Sequence, residues 1–141
     1  MNRTALAVGV LLATMTGYAH SSLAALENQL MCKGSQMPDL ADQLVAAKVA
    51  QKNQQGQLVL VKGSTLFGLP VSETVDFEWA PDPVAKATAV TLRAKERDVR
   101  AALAKQGANL KAKKPPFVVV VPTGSSTTMV VCAWNKALDM P

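Results

Sequence analysis

Histidine and tyrosine are almost missing from this chain of 141 residues, because each occurs only once. Both residues, Tyr18 and His20, lie near the amino terminus, and aromatic residues make up only 4% of the chain. General acid–base and nucleophilic catalysis rely mostly on histidine, or on a nucleophile that a neighbouring base activates. The scarcity of histidine therefore limits the catalytic chemistry that is open to this protein.

The motifs that mark nucleotide, metal and hydrolase sites are missing as well. No Ser-x-x-Lys, Gly-x-Ser-x-Gly or His-Glu-x-x-His pattern occurs, and no Walker or dinucleotide glycine loop. A zinc site would lack its nitrogen ligands, and no carboxylates stand at the spacing of a calcium loop. We therefore expect no catalytic residue, no metal site and no cofactor.

Carboxylates are the one catalytic group that the sequence does place together. Asp76 and Glu78 alternate along one predicted strand, and Glu73 and Asp82 lie nearby. Two carboxyl groups about 5–9.5 Å apart can hydrolyse a glycosidic bond. A solvated strand face is the simpler interpretation, so a small hydrolase is only the third hypothesis.

The first 24 residues have the pattern of a secretory signal peptide. Arg3 precedes a short apolar run, Ala5–Thr16. A region of small residues, typical of a cleavage site, follows this run and ends at Ala24. The run is too short and too interrupted by threonine and glycine for stable insertion into a membrane. We predict cleavage after Ala24, with Ala19 as the alternative. Residues 25–141 then form a single domain in the periplasm or outside the cell.

The chain has two cysteines, Cys32 and Cys132, one near the start of the predicted mature protein and one near its end. An even, widely separated pair in an exported protein predicts a structural disulfide bond. Closing a loop of about 100 residues would stabilise the fold by roughly 4–5 kcal/mol in the chain-entropy model. Two free thiols are the alternative.

Hydrophobic periodicity predicts two helices and several strands. The first helix begins at Pro38, where Asp39 can act as N-cap, and ends within Gln51–Gln55. The second helix begins at Glu96 and ends before Gly107. Predicted strands are Leu58–Val61, Ser72–Trp79, Ala87–Ala94, Phe117–Val121 and Thr127–Trp134, with a broken strand over Thr65–Val71. A hairpin is expected at Pro122–Ser126.

These elements predict an α+β fold. Two helices would cover one face of a mainly antiparallel sheet of about five strands, and polar residues would occupy the open face. The order of helix, strand, turn and strand from Asp39 to Val71 recurs from Glu96 to Cys132. We therefore consider an arrangement of two αββ units.

Basic residues concentrate around the second helix and after it. The net charge of the chain is +5. Residues 93–114 contain only two acidic residues, Glu96 and Asp98, but eight basic ones: Arg93, Lys95, Arg97, Arg100, Lys105, Lys111, Lys113 and Lys114. Such a segment can bind an acidic protein, anionic lipid or polysaccharide, or can simply be a solvated helix face. Nucleic acid is disfavoured because the protein is predicted to be exported and only Phe117 offers a nearby aromatic platform.

An apolar segment around Phe67 and Leu69 is the second candidate for contact with a partner. It lies beside Gly68 and Pro70, so it is either an exposed anchor or a kinked strand that completes the core. Trp79 and Trp134, at strand ends, are expected to cover the core.

The leading functional hypothesis is a small exported binding protein without catalytic activity, similar in mode of action to inhibitor and immunity proteins. Its partner would be a protein of the envelope or a secreted protein. The partner-binding candidates are Arg97, Arg100, Lys111, Lys113, Lys114, Phe67 and Leu69. The alternative is a structural or assembly factor of the envelope that binds anionic cell-wall or lipid material.

Export is directly testable by mass spectrometry of the protein from the secreted or periplasmic fraction. We expect a mature amino terminus at Ala25, or at His20 for the alternative cleavage site. Recovery of the intact chain from the cytosol would contradict the prediction.

Overall fold

The computed structural model describes residues 23–34, 39–76 and 87–135. Most of the predicted signal peptide, together with Trp79 and the Pro81–Pro83 loop, lies outside the described residues. These described residues include three helices: α1 at residues 23–30, α2 at Leu40–Ala46 and α3 at Glu96–Lys105. The strands are β1 (Ala50–Lys52), β2 (Leu58–Leu60), β3 (Thr65–Leu66), β4 (Leu69–Asp76), β5 (Ala87–Leu92), β6 (Phe117–Pro122) and β7 (Thr128–Ala133).

The strands form one antiparallel sheet in the order β1-β2-β4-β5-β7-β6, and the two-residue strand β3 pairs with β4. Its most regular part is β5-β7-β6, where each neighbouring pair is in register over six residues. Strand β4 is less regular, since its register with β5 shifts between Val71 and Val75. The α+β class and the mainly antiparallel sheet are confirmed, and so is the hairpin that joins β6 to β7.

The main core lies between one face of the sheet and the three helices. Every helix contributes fully buried leucines or valines, and β2, β4, β5, β6 and β7 contribute the facing side chains. The helical members of this cluster include Leu26, Leu30, Leu40, Leu44, Val99 and Leu103. Each side chain of this size stabilises the fold by about 1.5–3 kcal/mol when it is fully buried.

The opposite face of the sheet is apolar over β5, β7 and β6, which corrects for these strands the expectation of polar residues there. On β5 and β7 four small or branched side chains are buried, and the half-buried side chains of β6 and β7 pack against them. The buried members of this second face are Ala87, Ala89, Val131 and Ala133, and the half-buried ones are Phe117, Val119 and Met129. Residues of both parities along β5 and β7 are therefore buried, which is typical of strands at the centre of a sheet.

The numbers of helices and strands also differ from the expectation of two and about five. The additional helix, α1, has Leu23, Leu26 and Leu30 at helical spacing, but it overlaps the end of the predicted signal peptide. Helix α2 ends earlier than predicted, and residues that were assigned to its last turns form β1 instead. Pairing with β2 explains this change, because Gln51 lies opposite Val59 in an antiparallel register.

The strands that follow each helix differ in part from the expected αββ units. After α3, the strands β6 and β7 pair with each other as a hairpin, and β7 also pairs with β5. After α2, the strands β1 and β2 likewise pair with each other antiparallel, and β2 also pairs with β4. The order α2-β1-β2 therefore resembles α3-β6-β7, whereas the expected first unit used Leu58–Val61 and Thr65–Val71 as its strands.

All three helices end in the same hydrogen-bonded motif. After each C-cap, two successive N–H groups donate back to carbonyl oxygens of the last turn at 2.9–3.2 Å, the Schellman pattern. The left-handed residue of the motif is Cys32 in α1, Lys48 in α2 and Gly107 in α3. Only the last was predicted, because glycine is the usual residue at this position and the other two carry a side chain at positive φ.

A disulfide bond joins Cys32 to Cys132, with the two Cα atoms 5.5 Å apart, and thereby confirms the predicted pairing. Cys132 is fully buried on β7, and Cys32 stands directly after α1. The bond therefore attaches α1 to a central strand of the sheet. None of the described helices combines the length and the apolar character needed to cross a membrane.

Replacing Cys132 with Ser should lower the free energy of unfolding by roughly 2–5 kcal/mol, since the long chain loop is no longer closed. Chemical denaturation of the variant and of the parent protein measures this difference. Reduction of the parent protein without substitution is the control, and it should produce a loss of similar size. Two thiols that react with an alkylating agent in the native parent protein would contradict the assignment.

Candidate binding surface

Lys111, Lys113 and Lys114, named here the connector lysines, lie between α3 and β6. All three are exposed, and none of them takes part in a salt bridge within the described part of the chain. The connector leads directly to β6, against which α3 packs. The three positive charges are therefore displayed beside one edge of the sheet.

The connector is held in place at several points. Its apolar residues Ala108 and Leu110 are half-buried against the core, and they alternate with the exposed Asn109 and Lys111. The Asn109 side-chain carbonyl accepts a hydrogen bond from the Lys111 backbone N–H at 3.1 Å. The lysines thus project from a backbone whose conformation is set by its own packing.

The start of the connector is also fixed to α1. The Lys33 Nζ atom donates a hydrogen bond to the Gln106 carbonyl oxygen at 2.8 Å, at the carboxyl end of α3. A cation is favourable there because the helix dipole is negative at this end. Lys33 therefore adds a further positive charge next to Lys105, and it links the region of the disulfide bond to the connector.

The two arginine candidates lie in a different environment from the connector lysines. Arg100 Nε lies 3.0 Å from a carboxylate oxygen of Glu96, one helical turn earlier, and Arg97 Nε lies 3.8 Å from Asp98. Both pairs are exposed, so each contributes little to stability. The neighbouring carboxylates nevertheless reduce the positive potential that these arginines offer to a partner.

The apolar candidates belong to the core. Phe67 is buried, and Leu69 is half-buried and packs against the same cluster. Of the two interpretations of this segment, these residues complete the core and do not form an exposed anchor. Phe67 and Gly68 form the tight turn between β3 and β4, and both have positive φ, as a type I′ turn requires. The Phe67 backbone N–H donates to the Glu27 carboxylate, which ties this turn to α1.

The carboxylates of the hydrolase hypothesis lie outside the description, either as whole residues or in their side chains. Asp76 ends β4, but its side chain lies outside the description, as does that of Glu73. Glu78 and Asp82 belong to residues 77–86, which are outside it entirely. Within the described residues, no three His, Cys, Asp or Glu side chains form a group that could hold a metal ion.

A buried polar cluster between α1 and the sheet was not predicted. Thr88 on β5 is fully buried, and its hydroxyl oxygen accepts hydrogen bonds from Gln29 Nε2 at 3.1 Å and from Trp134 Nε1 at 2.9 Å. Gln29, on α1, is only 2% exposed. No local sequence pattern indicates these contacts, because they join residues far apart in the chain.

The searches against protein-family models, curated proteins and solved structures found no match to this chain. The functional interpretation therefore depends on the residues and on their geometry.

Replacing Thr88 with Val tests the buried polar cluster. The variant keeps the shape of the side chain but removes the acceptor that Gln29 and Trp134 share, so we expect a loss of about 1–3 kcal/mol in the free energy of unfolding. Thr91→Val on the same strand is the matched control, since Thr91 is half-buried and three pairs away in the sheet register. Equal stability of the two variants in denaturant titrations would show that the cluster does not stabilise the fold.

Proposed function

We propose that this protein is a small exported binding protein without catalytic activity, which binds an acidic protein of the envelope or a secreted acidic protein. The observation that carries the proposal is the set of connector lysines: three exposed positive charges, without salt-bridge partners in the described residues, on an anchored stretch of backbone. Lys33 and Lys105, at the carboxyl end of α3, extend the same positive region.

Electrostatics favours such a segment as a contact surface. Clustered charges of one sign attract an oppositely charged partner over a distance and accelerate association. Because the backbone around Leu110 is already packed against the core, binding would order less of the chain than it would in a mobile tail. A lower ordering cost leaves more of the interaction energy for affinity.

The disulfide bond supports export. Disulfide bonds persist in oxidising compartments and are rare in the cytosol, where thiols are kept reduced. The bond between Cys32 and Cys132 therefore fits the signal-peptide pattern of the first 24 residues. Cleavage of that segment would also remove His20, the only histidine, and this supports a role in binding rather than in acid–base catalysis.

The second candidate is a structural or assembly factor that uses the same lysines to bind anionic cell-wall or lipid material. Positive charge alone serves either function. The two candidates differ in what the mature protein retains: one defined acidic protein in the first case, and isolated cell wall or anionic vesicles in the second.

Changing the three connector lysines to Gln should leave stability nearly unchanged, because isolated surface charges contribute only about 0–1 kcal/mol each. Association with the acidic partner, identified by capture from envelope extract and mass spectrometry, should slow severalfold and depend less on salt. Surface plasmon resonance at several salt concentrations measures both effects.

The matched control is a second triple change to Gln at Lys48, Lys52 and Lys62. It removes the same charge from exposed residues around β1 and β2, at the opposite edge of the sheet from β6. A purely global effect of net charge would slow both variants equally and would contradict the proposed site. Binding to cell wall or vesicles, with no protein captured, would favour the alternative function.

A further inference from the structure

Strand β6 is the last strand of the sheet, and its outer edge is apolar and uncharged. It pairs with β7 over all six residues without a register shift, and no other described strand pairs with it. It consists of Phe117, four valines and Pro122. Proteins usually protect such an edge with charged side chains, bulges or prolines, because its free N–H and C=O groups can pair with another strand.

The register shows which backbone groups point outward. Just beyond the strand, the Thr123 N–H donates to the Thr127 carbonyl at 3.0 Å, and these residues lie opposite each other in the β6–β7 register. In an antiparallel ladder, hydrogen-bonded pairs alternate with pairs that are not hydrogen-bonded. Odd-numbered residues of β6 therefore bond to β7, and the even-numbered ones direct their backbone groups outward: Val118, Val120 and Pro122.

Prolines stand at both ends of this outward-facing series. Pro122 occupies its last position, and Pro116 occupies the corresponding position just before the strand. Neither has an N–H group to donate. In the described part of the chain, the outer edge of β6 thus offers two backbone donors, the N–H groups of Val118 and Val120, which lie on either side of Val119.

We propose that β6 pairs with β6 of a second copy of this chain, antiparallel, around a twofold axis that passes through Val119. In this register Val118 lies opposite Val120 of the second copy, and the two residues exchange both of their hydrogen bonds. The symmetry repeats the exchange on the other side of the axis. Pro116 and Pro122 of the second copy fall at the same level, so no outward donor is left without an acceptor.

The side chains on the second face fit the same register. The half-buried Val119 side chains of the two copies lie directly opposite each other at the axis, and Phe117 lies opposite Val121 of the second copy. Pairs of an aromatic with a branched side chain across neighbouring strands are favourable. Pairing would also extend the apolar second face across the two copies and cover residues that are half-exposed in one copy.

Charge does not oppose this arrangement. Lys113 and Lys114 precede Pro115 at one end of β6, and the other end continues into the uncharged turn at Gly124 and Ser125. In an antiparallel pair, the lysines of each copy are level with that turn of the other. The connector lysines of the two copies therefore stand at opposite ends of the interface.

Cysteine cross-linking tests the register. In the variant V119C, the two introduced side chains would have Cβ atoms about 4.5–5.5 Å apart across the axis, so mild oxidation should produce a covalent dimer. The matched control is V121C, a half-buried valine on the same face of the same strand. In the proposed register, the two cysteines of V121C would lie four residues apart along the strand direction, about 13 Å, and should not cross-link. Peptide mapping establishes that Cys32 and Cys132 remain bonded to each other.

Amide hydrogen exchange of the unmodified protein, followed by NMR at several protein concentrations, gives an independent measurement. The Val118 and Val120 amides should become protected as concentration rises, whereas Val119 should be protected throughout. Protection of all three at every concentration would show that another segment of the same chain covers the edge, and fast exchange of Val118 and Val120 at every concentration would exclude pairing. Either result, or equal cross-linking of V119C and V121C, overturns the proposal.

Because this pairing uses backbone and apolar groups, the triple Gln variant of the connector lysines should still dimerise, so the two proposals can fail separately.

Discussion

The attachment of α1 to the sheet by the Cys32–Cys132 bond is the constraint on which the rest of the fold depends. It brings Gln29 within hydrogen-bonding distance of Thr88 and places Glu27 at the turn that contains Phe67. The left-handed conformation of Cys32 ends α1 at the point where its side chain reaches β7. One covalent bond thus positions a helix, a buried polar cluster and a hairpin together.

The distribution of apolar residues makes β5 and β7 the most buried of the described strands, and β6 lies beside them at the edge of the sheet. The helices cover one face of these strands, and a second apolar cluster lies on the other. The connector lysines lie directly before β6, the last strand of the sheet. The positive charges and the free strand edge are consequently neighbours, although they would recognise a partner by different forces.

Much of the carboxyl-terminal half could be predicted from local patterns. Helix α3 combines acidic residues in its first turn, an apolar stripe and Gly107 at its end, and β6 and β7 are valine-rich segments around a turn. Strand β1 could not be predicted in this way, because Gln51 and Lys52 have no strand preference and adopt that conformation only through pairing with β2. Helix α1 was missed because its apolar spacing overlaps a region that also resembles a cleavage site.

The binding candidates also differ in whether the sequence alone predicts their environment. The exposure of the connector lysines followed from their position between a helix stop and two prolines. The Arg100–Glu96 pair could be predicted from its spacing of four residues, which favours an ion pair on a helix. The burial of Phe67 could not be decided from its neighbours, because a type I′ turn and an exposed loop have similar composition.

The sequence by itself determined the elements with strong local preferences, the pairing of the only two cysteines and the location of positive charge. These properties depend on residues close in the chain, or on a pair without competitors. Only the tertiary structure decided that the second face of β5, β7 and β6 is apolar, that Thr88 accepts hydrogen bonds from Gln29 and Trp134, and which backbone groups of β6 point outward. Those properties depend on strand order and register, which are set by the packing of residues distant in the chain.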